Sequence, residues 1–154
     1  MAPPAPPAPH SASDGVLHER LLALAEALAE RETEHAAALE QAFAHAHRLH
    51  GRVAGAIDAF HGVLAARGLA HLRIAIGEPR LDEKHIRAVQ FELSRGRTVA
   101  LVSVKSRGEV TLVGPFKAGK TEGPCETVPW AHATAIDAAL AEFLERFVEQ
   151  ATTP

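Results

Sequence analysis

Gly114-Pro115-Phe116-Lys117-Ala118-Gly119-Lys120-Thr121 is a formally complete G-x-x-x-x-G-K-[ST] string. In a phosphate-binding loop of this pattern, backbone amides cradle the phosphates, the lysine reaches the outer ones and the hydroxyl holds magnesium. That chemistry needs a helix opening at the Lys-Thr pair, so that its first amides face the anion. Here Glu122-Gly123-Pro124 follows at once and Pro129 comes soon after, which opposes such a helix. No separate apolar strand ending in an acidic partner for magnesium is evident either. The string therefore reads as incidental. A simpler anion-binding loop using Lys117, Gly119, Lys120 and Thr121 is the alternative, and with it the class of small-molecule or phosphate-ligand binder, catalytic or not.

The two other chemically capable groups are thinner. Cys125 is the single cysteine, so no intramolecular disulfide framework exists. As a nucleophile it would need a base and a lowered pKa. His132 is near in sequence, but nothing in the spacing brings the two together. Among the ten histidines, His45, His47 and His50 cluster, with His47 and His50 on one helical face. A metal site wants three or four convergent ligands with fixed supporting partners, and no H-E-x-x-H or cysteine partner completes one. No catalytic residue, metal ligand or cofactor is assigned, and a non-enzymatic role is favoured.

The elements that would position these groups fall into three stretches. Residues 1–13 begin with a Pro/Ala tail, whose prolines lack an amide donor and fix φ, so an extended, disordered segment is expected. Residues 14–68 read as a long helical region, with Ser11 and Asp14 at capping-box spacing before it. Leu17, Leu21, Leu24 and Leu28 repeat at 4, 3 and 4, a coiled-coil seam. A second seam runs through Leu39, Phe43, Ala46, His50, Val53, Ile57, Phe60 and Leu64, and the 11-residue step from Leu28 to Leu39 keeps both on one face if the helix continues. Gly51, Gly55 and Gly62 each cost about 1 kcal/mol relative to alanine, and a break, if any, is expected near Gly51.

From Leu69 the period changes to that of strands. Leu72–Ile76, Val89–Leu93, Thr98–Lys105 and Val110–Val113 predict a four-stranded antiparallel meander, with turns at Ser94–Arg97 and Ser106–Glu109. Residues 114–130 read as a long aperiodic connection, with Trp130 plugging the core. Thr134 and Asp137 have capping-box spacing, and Ile136, Leu140, Phe143, Leu144, Phe147 and Val148 give the last helix one apolar face. The predicted fold is α+β: a coiled-coil-like helical region, then a small domain at 69–154 whose C-terminal helix covers the sheet.

Length turns this into a functional expectation. A helix over residues 15–67 would be about 80 Å long, whereas residues 69–154 make a body roughly 30 Å across. Apolar side chains left in water forfeit about 1.5–3 kcal/mol each, so self-association is the expected remedy. Leu21, Leu24, Leu28, Leu39, Phe43, Val53, Ile57 and Phe60 are the expected oligomer interface of an interaction or adaptor protein. Acidic residues outweigh basic ones early in the region and the reverse holds later, which favours antiparallel over parallel pairing. A net charge of −3 and a pI of about 6.4 argue against a nucleic-acid binder. No apolar run approaches the roughly 18 residues a membrane span needs, and Met1–His10 lacks signal-peptide character. A soluble cytoplasmic homo-oligomer without membrane or nucleic-acid partners is expected.

Overall fold

A computed structural model describes residues 2–5, 12–82, 84, 87–120 and 123–153. The N-terminal tail is thus described only in part, and Ser11 of the expected capping box lies outside the described residues. The fold is mixed α+β. Helix α1 spans Ala12–Ala66, followed by strands β1 (Ala75–Ile76), β2 (Arg80–Leu81), β3 (Ala88–Arg95), β4 (Thr98–Lys105), β5 (Glu109–Lys117) and β6 (Cys125–Pro129), then helix α2 (Ala133–Thr152). The chain divides into two compact units, Met1–Ala37 and Ala38–Pro154. The second unit takes in helical residues 38–66 together with the sheet, although their seam pattern had grouped them with the leucines before them.

In the second unit the sheet has the order β1-β3-β4-β5-β6, all neighbours antiparallel, with β2 also pairing to β3. Register explains the core. Phe91, Val102 and Leu112 lie in one cross-strand row, and Val89, Val104, Val110 and Val128 in another. Because side chains alternate along a strand, these rows share one face. They join Ala42, Ala46, Leu49, Val53 and Ile57 of α1 and Ile136, Ala139, Leu140, Phe143, Phe147 and Ala151 of α2 in a single buried cluster. Both helical segments therefore close over the same side of the sheet. The opposite side carries Gln90, Glu92, Ser103 and Thr127 in the intervening positions, as one wet face of an antiparallel sheet requires.

Three expectations need correction, and the open question of a break near Gly51 is answered. The sheet has six strands, not four. The expected strand Leu72–Ile76 pairs only over Ala75–Ile76, because the Ile74 amide donates to His61 Nε2 at 2.9 Å instead of to a neighbouring strand. The helix runs through Gly51 without a break. Leu49, Val53 and Ile57 around that glycine are 7%, 0% and 3% exposed, and burying even one such side chain outweighs the roughly 1 kcal/mol cost of a glycine. Finally, the Thr134/Asp137 capping box does not form. His132 is the N-cap with no side-chain hydrogen bond, so Thr134 falls inside the first turn of α2. The Asp137 carboxylate instead meets Arg52 Nη1 at 2.6 Å. At the other end of α2, Arg95 Nη1 donates to the Ala151 carbonyl at 2.9 Å, satisfying one of the acceptors a helix C-terminus leaves open.

Candidate functional site

The segment with the phosphate-loop string is built as a hairpin. Gly114–Lys117 completes β5 and Cys125–Pro129 is the whole of β6, so only residues 118–124 connect them. The long connection expected at 114–130 is mostly strand. Gly114 sits at φ +108, a region that favours glycine, and a Cβ there would lie 2.9 Å from the Val99 carbonyl oxygen. Its amide donates to the Pro124 carbonyl, which closes the hairpin. Lys117 Nζ donates to Thr98 Oγ1 at 2.9 Å across the β4–β5 pair, and Lys120 is exposed in a turn closed by its amide on the Lys117 carbonyl. Gly119 is in that same turn, and Thr121 lies outside the described residues. Among the described residues no helix opens between Lys120 and β6, and residues 123–124 lead directly into that strand.

Cys125 opens β6 exposed, and His132 lies beyond that strand's other end. An extended strand keeps them apart. The histidine cluster also disperses. His50 turns its ring edge-on to Phe91 at 5.2 Å, with Nε2 buried and without a partner, while His47 stacks loosely on Phe43 at 6.5 Å. Among the described residues, no three His, Cys, Asp or Glu side chains come together in a way that could hold a metal.

The expected oligomer residues divide sharply. Leu21, Leu24 and Leu28 are 57%, 47% and 47% exposed. Val53 and Ile57 are buried in the core of their own unit, and Leu39, Phe43 and Phe60 pack half-buried against it. Those five are therefore wholly or partly covered by the chain itself, and the three leucines are not. Leu17 and Leu22, each 59% exposed, extend the uncovered group.

One constellation escaped sequence reasoning. His45 stacks on Trp130 with ring centroids 4.3 Å apart, and Arg48 Nη2 donates to His45 Nδ1 at 2.7 Å. Trp130 is half-buried and packs against the core from its edge; its amide bonds the Gly108 carbonyl, and its ring lies against Gly108. With Leu49, Val110 and Ile136 as floor and the Arg52–Asp137 pair at the rim, these groups bound a cleft of about 260 Å³. Burial, then the neighbouring Arg48 charge, holds His45 below its ordinary pKa of 6.5, so the imidazole is neutral near pH 7. The signal in the sequence is the i, i+3 spacing of His45 and Arg48, which puts the two on one helix face.

No protein-family model, characterised protein or solved structure matches this chain. Among the described residues, no helix is long and apolar enough to cross a membrane.

Proposed function

We propose that this chain is a non-enzymatic, self-associating interaction or adaptor protein of the cytoplasm, which assembles through the uncovered leucines of α1 and presents its helix-and-sheet unit to a partner protein. The observation that carries this reading is the row Leu17, Leu21, Leu24 and Leu28, each between 47% and 59% exposed. Its 4, 3, 4 spacing is that of a seam whose natural complement is another copy of itself. Leaving such side chains in water forfeits about 1.5–3 kcal/mol for each one that could be buried.

Light-scattering chromatography of Leu24→Glu/Leu28→Glu tests the assembly. The variant is expected to elute as a smaller species than the parent while still unfolding cooperatively. An unchanged mass would remove this function.

A further inference from the structure

We propose that the cleft between residues 45–52 of α1 and the start of α2 binds a small carboxylate carrying an apolar, preferably aromatic, body. Its walls separate the two requirements of such a ligand. Leu49, Val110 and Ile136 form a buried apolar floor, and Trp130 supplies a broad aromatic face. In the structure the His45 imidazole covers that face at an interplanar angle of 21°, so a ligand's ring would take the place of His45 on it. At about 260 Å³ the cleft is somewhat smaller than sites for drug-sized molecules, which start near 300 Å³, so its occupant is small.

Charge selects the polar end. Two arginines stand at the mouth, and they are not equivalent. Arg52 is neutralised by Asp137 at 2.6 Å. Arg48 has no carboxylate partner among the described residues, and its hydrogen bonds go only to the ring of His45. A neutral imidazole leaves that guanidinium charge uncompensated. A carboxylate would offer two charge-assisted bonds in the planar fork geometry that arginine is shaped to make. The lowered pKa of His45 agrees with a placeholder that stays neutral and gives up Arg48 when an anion arrives. An aryl or short-chain carboxylate satisfies floor, face and charge together. Inorganic phosphate satisfies the charge alone.

The chain contains one tryptophan, Trp130, so its fluorescence reports on this cleft without interference. Phenylacetate titrated into the full-length protein is expected to change that fluorescence saturably, while phenylacetamide and inorganic phosphate give no saturable change. Arg48→Met keeps the apolar stem and removes the charge; about tenfold weaker phenylacetate binding is expected, with circular dichroism matching the parent. Arg48→Lys should recover part of the loss. A response to phenylacetate that never saturates, an equal response to the amide, saturation by phosphate alone, or undiminished binding in a folded Arg48→Met protein would each overturn the proposal. The contrast between acid and amide is measured on the parent protein, so it decides the matter even if the variant does not fold.

Discussion

Two stretches of α1 carry the same apolar rhythm and meet different fates. Leu17, Leu21, Leu24 and Leu28 repeat at seam spacing and stand about half exposed; Ala46, Val53 and Ile57 continue a seam of the same spacing and are 0%, 0% and 3% exposed. The difference lies in what each unit contains. Residues 38–66 share theirs with a sheet whose rows Phe91–Val102–Leu112 and Val89–Val104–Val110 offer an apolar face. Residues 12–37 have no sheet among the described residues of their unit. A period near 3.5 therefore fixes which side chains align along a helix, but a sheet face and a neighbouring helix can both satisfy it.

The largest test of this contrast is Ile57→Ala. Removing a fully packed branched side chain should cost about 2–5 kcal/mol, measured by denaturant unfolding. A negligible cost would mean that the second stretch is not the core it is described to be. Arg52→Ala probes the rim of the same packed region. Its pair with Asp137 has both side chains about half exposed at 52% and 54%, so a loss below about 1 kcal/mol is expected.

A smaller effect comes from pH. The folded protein holds the His45 pKa below 6.5, mainly through burial and then through Arg48. The unfolded chain therefore takes up the proton first, and the stability gained from neutral His45 is lost as pH falls from the ordinary histidine value through the lowered one. Between about pH 7.5 and about pH 5, the parent should lose more melting temperature than His45→Gln, whose side chain does not titrate. Equal losses would remove His45 from the pH response. At the bottom of the scale, Leu24→Ala should change unfolding of the dissociated protein by no more than about 0.5 kcal/mol, as exposed sites do. A cost similar to that of Ile57→Ala would erase the distinction between the two stretches.

Particular residues show how far the sequence could be read. Val89, Phe91 and Leu93 alternate with polar neighbours, and Thr98–Lys105 is apolar on both faces; those features are enough for β3 and for the central strand β4. Gly96, at φ +58, makes the tight turn between them, as the Ser94–Arg97 signal implies. The apolar face of α2 was equally plain. By contrast, β5 runs on through Gly114-Pro115 and β6 ends at Pro129, and proline inside a strand conceals it because the ladder loses a donor there. The cleft was hidden for another reason. His45, Arg48, Trp130 and Asp137 come from α1, the turn after β6 and α2, and only the closure of both helical segments over one sheet face brings them together. Nor could spacing tell that Val53 and Ile57 are covered by their own unit while Leu24 is not.

Sedimentation equilibrium of the unmodified protein across a wide concentration range tests self-association most directly. Burial of the Leu17–Leu28 row by a second copy predicts a mass that rises to a whole-number multiple of 16.4 kDa as concentration increases. A mass that stays at 16.4 kDa throughout the range would contradict it.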